Sequence, residues 1–304
     1  MTRPRSEFLD LDSTTLYHCI SRCVRRAFLC GTDAYTGKCF EHRKSWIEAR
    51  LFFLAQFFAI DIYAFAVMSN HLHLVLRVDV DAALLWSDAQ VVERYTKLFK
   101  NAEPLLKASK GKARRELIAL WRKRLQDVSW FMRMLNEDIA RRANKEDGVT
   151  GRFWEGRFKC VPLLDDRSLL SCMAYVDLNH VRARIVTKLD TRVHSSIARR
   201  LASASVPRGL VPFADQASAG ATIPMTFSDY LQVLEWTIRA QASDEGDVAP
   251  EAFMELGLDQ AAWLETMTHE GLRMFSVLGS TEKLQAFATK HGKRWVRGKS
   301  LAAD

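Results

Sequence analysis

The 304-residue chain lacks three things, and each absence excludes a class of protein. It has no run of 18 uncharged apolar residues, so no membrane span is expected. Its opening stretch, "MTRPRSEFLDLDSTT", has no apolar signal core, so a cytoplasmic protein is expected rather than a secreted one. Cysteine is scarce: six residues cannot make a disulfide scaffold for a chain of this length. Cys19, Cys23, Cys30 and Cys39 are separated by three, six and eight residues, without the paired C-x2-C of common zinc sites. Buried reduced thiols are the expected state of these four. Cys160 and Cys172 stand alone, and nothing pairs a thiol with a base. The chain also has no internal repeat and no long low-complexity segment.

What is present is a folded composition with lopsided charge. Hydrophobic residues at 48% and charged residues at 26% suit a packed core. The net charge is +8. Residues 1–200 hold 35 Lys and Arg against 23 Asp and Glu, whereas residues 201–304 hold 9 against 13. The stretch 101–200 alone holds 22 against 12. Concentrated positive charge points to a polyanion partner, most often nucleic acid; the alternative is ordinary solvated helix surface.

The patterning predicts a strand at 15–23, a helix at 41–60, and a hairpin of strands at 61–68 and 71–78 turning on Ser69 and Asn70. This β-α-β-β order opens a split β-α-β sandwich. Residues 83–147 read as a basic helical insertion. Residues 148–163 form a glycine-, aromatic- and arginine-containing loop with a short strand. Residues 165–186 read as a helix opened by an Asp cap and ending near Arg182. The Ala-, Ser-, Gly- and Pro-rich stretch 201–224 marks a linker, and 225–304 is a mainly helical C-terminal region.

Two patterns carry chemistry. In "HLHLVLRV", strand alternation puts His71, His73, Val75 and Arg77 on one face and Leu72, Leu74, Leu76 and Val78 on the other, the core face. Two imidazoles two residues apart on a strand can reach one divalent ion; the alternative is a pair of satisfied histidines. On the 165–186 helix, Leu170, Ala174, Leu178 and Val181 form an apolar stripe, while Ser168, Cys172, Tyr175, Asn179 and Arg182 form a polar one. Tyr175 and Asn179 stand one turn apart and can face one site. A phenol attacks phosphorus well only where a metal polarises the phosphate. Otherwise Tyr175 packs on the sheet with its hydroxyl on a backbone group. The basic helix 110–126 either tracks a nucleic-acid stem or lies exposed as an amphipathic helix.

Four blocks together resemble the REP-associated tyrosine transposases, a branch of the HUH single-strand transposases that use one tyrosine. They are "YHCISRCVRRAFLCG" (17–31), "YAFAVMSNHLHLVLRV" (63–78), "GRFWEGRFKCVPLLDD" (151–166) and "YVDLNHVRARIV" (175–186), and the likeness spans about residues 14–188. The resemblance implies an α+β fold: a ferredoxin-like antiparallel sheet with helices on one face, forming an HUH catalytic domain over residues 1–200. It implies that His71 and His73 bind Mg2+ or Mn2+, that Tyr175 is the nucleophile, and that Asn179 is a candidate third ligand. The implied reaction is cleavage and rejoining of single-stranded hairpin DNA through a 5′-phosphotyrosine, as in DNA transposition. Two positions depart from the pattern: His180 stands where the family usually has Pro, and Arg184 where it commonly has Gly.

The residues themselves suit that chemistry. Arg22, Arg25, Arg26, Arg152, Arg157 and Lys159 offer phosphate contacts, joined by Arg182 on the tyrosine block. Phe153, Trp154 and Phe158 either stack on unpaired bases or pack structurally. Three functions compete. The first is the nicking and joining enzyme. The second is a domesticated protein that grips hairpin DNA or RNA without cutting. The third is an unrelated metal hydrolase that uses water as nucleophile. The oligomeric state, monomer or homodimer, stays open.

Overall fold

A computed structural model describes residues 9–24, 29–33, 37–217, 219–242, 248–268, 271–272 and 275–300. The chain runs β1 (Leu16–Arg22), α1 (His42–Ala55), β2 (Ile60–Val67) and β3 (His71–Val78). Five helices follow: α2 (Val80–Leu85), α3 (Asp88–Leu98), α4 (Ala102–Ala108), α5 (Gly111–Leu125) and α6 (Val128–Glu146). Next come β4 (Lys159–Leu163), α7 (Asp166–Asp177), α8 (Asn179–Arg182) and α9 (Ser196–Leu201). The last part holds α10 (Phe227–Ala242), α11 (Glu251–Glu255), α12 (Gln260–Thr266), β5 (Val277–Leu278), α13 (Thr281–Lys290) and β6 (Gly298–Lys299). Among the described residues no helix is long and apolar enough to cross a membrane.

The fold is mixed α/β, with one six-stranded sheet in the order β2-β3-β1-β4-β5-β6. The first four strands pair antiparallel, while β5 and β6 add in parallel at the β4 edge. Helices cover both faces of the sheet, not one. On the first face Leu72, Leu74, Leu76 and Val78 pack with Tyr17 and Cys19 against Ile47 and Leu51 of α1 and Phe131 and Leu135 of α6. On the second face Ala64, Ala66, Val75, Val161 and Leu163 pack against α7, with Tyr230, Leu234 and Trp236 of α10 and Trp263 of α12 in the same cluster. Both faces of the central strands are apolar, so neither can be left wet. At the α1–α6 contact the fully buried Arg43 is held by Glu146 and Asp147.

Helices α2–α5 gather round a small cluster of their own, in which Tyr95 and Trp121 stack with ring centroids 4.4 Å apart. Helix α6, inside the stretch expected as an insertion, belongs to the sheet's first face. The expected linker is packed rather than loose: Leu210 bridges to Ile62 at the sheet edge, and Phe213 and Ile223 are fully buried. The expected helical C-terminal region also supplies β5 and β6. No disulfide joins the six cysteines, and only Cys39 is exposed.

Candidate active site

β1 lies between β3 and β4, pairing Ile20 with His73 and Arg22 with His71. Alternation then brings His18, Ile20 and Arg22 onto the histidine face. His71 and His73 approach with ring centroids 4.8 Å apart and planes at 76°. The Asn70 side-chain oxygen accepts from His71 Nδ1, so a neutral His71 carries its lone pair on Nε2. His73 is 2% exposed, and its Nδ1 shares a 2.8 Å hydrogen bond with His18 Nε2. The His18 and His73 rings stack at 5.1 Å. Burial, and secondarily the Arg182 charge, push the His18 pKa down to about 3, so His18 is neutral.

α7 lies directly over this face. Its N-terminus is fixed by a capping box between Asp165 and Ser168. Residues 168–177 are all buried, because the helix is sandwiched between the sheet and α10–α12. The expected polar stripe is therefore an interior surface rather than an open one. Tyr175 is 2% exposed, with its ring centroid 5.9 Å from His73 and 6.2 Å from His18. The Arg182 guanidinium sits 3.7 Å from the Tyr175 ring centroid and donates to the Tyr175 carbonyl at 3.0 Å. The Tyr175 hydroxyl is not one of the fully buried unpartnered polar atoms, so although the residue is buried its oxygen is not an orphan in the core. Two residues on, the buried Asp177 accepts from Ser196 Oγ, the Ile197 N–H and the Tyr230 hydroxyl at 2.5, 2.9 and 2.8 Å, tying α7 to α9 and α10.

Beside the histidines is a cavity of about 280 Å³, lined by Ile20, Arg22, His71, His73, Glu155, Gly156, Arg157, Lys159 and Val161, with Leu272 and Phe275. Its charged rim holds three cations and one carboxylate, and Glu155 lies 3.5 Å from Arg22. Two imidazoles are borderline ligands, so a hard divalent ion here would need the oxygen ligands that a phosphate and water bring. Among the described residues no three His, Cys, Asp or Glu side chains are grouped to hold a metal alone, so substrate oxygens and water would supply the remaining positions. Asn179 is 6% exposed; its amide nitrogen has no partner, and it makes no hydrogen bond to either histidine.

The other sequence-predicted residues divide by exposure. Arg157 and Lys159 are exposed on the cavity rim, and Arg22 lies half-buried there. Arg152 is turned back on its own loop, donating to the Trp154 and Glu155 carbonyls. Phe153 and Phe158 are buried among the core residues, and Trp154 is partly exposed. Arg25 and Arg26 lie outside the described residues. Sequence reasoning missed His18 and Glu155, and the Leu272 and Phe275 wall. His18 had a readable signal, since it alternates with Arg22 on the first strand; the wall had none.

No protein-family model matches the chain, and no curated protein matches it. Among solved structures, that of a REP-associated tyrosine transposase bound to a REP hairpin is similar. It is 13% identical with a TM-score of 0.41, and the match covers 73% of this chain and 94% of that one.

Proposed function

We propose that the protein cuts and rejoins single-stranded, hairpin-bearing DNA, with Tyr175 as nucleophile and Mg2+ or Mn2+ held by His71 and His73. The observation that carries this reading is the placement of the Tyr175 ring on the histidine face, 5.9 Å from the His73 ring and 6.2 Å from that of His18. In this reading β2-β3-β1-β4, with α1 and α6, is the ferredoxin-like HUH core, and Asn179 completes the ligand set.

An ion held by His71 and His73 would supply Lewis-acid polarisation of the scissile phosphate. Arg22, Arg157 and Lys159 bind phosphate oxygens and hold the strand in the cavity. Tyr175 Oη attacks phosphorus, forming the P–Oη bond as the P–O3′ bond breaks. The phenol proton ends on the departing 3′ oxygen, giving a 5′-phosphotyrosine and a free 3′-OH. Attack by a 3′-OH on the phosphotyrosine reverses both changes, so rejoining needs no outside energy source. His18 and Arg182 act on the site by holding the His73 and Tyr175 rings.

The test is incubation with labelled single-stranded hairpins from DNA flanking the gene, with and without Mn2+. The expected outcome is a covalent protein–DNA adduct that needs metal and disappears in Tyr175→Phe. The second reading, a protein that grips hairpins without cutting, draws on the burial of Tyr175 beneath Arg182. Tight hairpin binding with no adduct under any metal would select it.

A further inference from the structure

Five of the nine Lys and Arg residues of 201–304 fall within the ten positions 290–299, a stretch without a carboxylate. The rest of that region holds four Lys and Arg against 13 Asp and Glu, so the positive charge is concentrated at one place. In its middle stands Trp295, 73% exposed. The other seven tryptophans are buried or half-buried. The half-buried Trp46, Trp86 and Trp130 each carry a guanidinium, at 4.3, 4.2 and 4.3 Å from the ring centroid. Among the described residues no cation and no ring packs on Trp295. Leaving so large an apolar ring in water forgoes the burial that normally stabilises it.

The backbone on either side of this ring is fixed. Helix α13 closes through Gly292, at φ +64°, and the Lys293 N–H returns to the Ala288 carbonyl at 2.9 Å. Val296, the next residue after Trp295, packs against Leu164, Val277 and Phe287, and β6 then pairs with β5. The same segment abuts the histidine cavity. Phe275 lines that cavity, and its neighbour Ser276 donates from N–H and Oγ to the Arg297 carbonyl at 2.8 and 3.0 Å. The Lys299 ammonium lies 5.6 Å from the Phe275 ring centroid. Trp295 is two residues before Arg297, at most about 7 Å of backbone away. Lys290 and Lys299 are paired with Asp10 and Glu265, while Arg294 and Arg297 are exposed.

We infer that Trp295 is a stacking platform for an unpaired base of the strand engaged at the histidine cavity. The base covers the exposed indole, and the charges of Arg294 and Arg297 favour the phosphates on either side of it. Every base has a π face, so the platform takes single-stranded DNA without selecting its sequence. A protein partner would need a contiguous apolar patch. Trp295 offers none: among the described residues after Met254 it is the only exposed large hydrophobic side chain. The inference rests on the single-strand reading of the histidine cavity.

Stacking needs bases, whereas charge needs only the backbone. The probes are therefore a dT oligomer of about twelve nucleotides and an abasic oligomer of the same length, titrated against the full-length protein by fluorescence anisotropy without metal. Trp295→Ala should weaken binding of the dT oligomer about ten-fold and leave the abasic oligomer unchanged. Trp295→Tyr, which keeps an aromatic face, should recover most of the loss. Because the ring lies mostly in water, both variants should melt with the wild-type Tm. A Trp295→Ala variant that binds the dT oligomer as wild type overturns the inference. So does an equal loss for both oligomers, or a Trp295→Tyr variant as weak as Trp295→Ala. Failure of the wild-type chain to bind the dT oligomer would overturn the single-strand reading as well, whereas binding that ignores Trp295 overturns the platform alone.

Discussion

His18 is the residue whose role is defined most sharply by a single distance. Its Nε2 lies 2.8 Å from His73 Nδ1, so it fixes both the tilt of the His73 ring and the nitrogen that is left to face a ligand. Replacing it with an apolar side chain of similar length should leave the fold intact and loosen the site. His18→Leu is expected to raise the Mn2+ concentration for half-maximal adduct by about ten-fold or more, the usual cost of losing an outer-sphere partner. An unchanged metal requirement would make His18 a packing residue only. His180 adds a pH dependence of stability. Burial pulls its pKa down to about 4, and that of His18 to about 3. An unfolded histidine takes up its proton near pH 6.5, so the unfolded chain binds more protons than the folded one between about 6.5 and 4. The neutral-histidine stability is thus full above pH 6.5 and is lost as the pH falls through that window. Thermal unfolding at pH 7 and pH 4.5 should show a lower Tm at the acid value, with a smaller drop in His180→Asn.

At the scale of the element, the tyrosine helix does not run on as the sequence suggests. The absence of proline at position 180 leads one to expect a longer helix, yet α7 stops at Asp177, Leu178 leaves helical geometry (ψ 1°), and α8 is a separate turn. Arg184 ends that turn with φ +56°, the only non-glycine residue in the left-handed region among the described residues. The N–H groups of Arg184 and Ile185 close back onto the Val181 and His180 carbonyls, the bonding of a helix C-terminus that favours glycine. Arg184→Gly should therefore stabilise the protein by about 1 kcal/mol, read as a higher urea midpoint at unchanged slope. A lower midpoint would mean that the arginine side chain contributes more than the backbone loses. The same elements show what a sequence can reveal. The β2–β3 hairpin was legible because strand alternation and the Ser69–Asn70 turn are local signals. The burial of the polar stripe on α7 was not, because α10 and α12, which cover it, lie more than fifty residues downstream. Nor were β5 and β6, two-residue strands of which β5 adds to the β4 edge and β6 to β5.

Across the whole molecule, the excess of basic residues is less informative than which of them remain available. Arg122 and Arg124 of α5 look like a nucleic-acid face in the sequence. In the fold Arg122 is spent on the Ala83 and Trp86 carbonyls and Asp88, and Arg124 on the Tyr95 hydroxyl. Arg43 and Arg200 are buried outright. Arg182 lies on the Tyr175 ring. What remains beside the histidines is a short exposed pair, Arg157 and Lys159, with Arg22 next to them. Binding of a single strand should accordingly depend on salt through these few contacts. Each phosphate neutralised contributes about 0.7 to the slope of log K against log salt for single strands. Arg157→Ala should reduce that slope by about 0.7 and weaken hairpin binding regardless of sequence. Arg182→Ala should leave the slope where it is while impairing adduct formation, because its guanidinium packs on the Tyr175 ring. Anisotropy titrations from 50 to 300 mM salt, on the order used for such slopes, would separate the two. A slope that falls in Arg182→Ala and holds in Arg157→Ala would move the phosphate path away from the 156–157 turn and over the tyrosine itself.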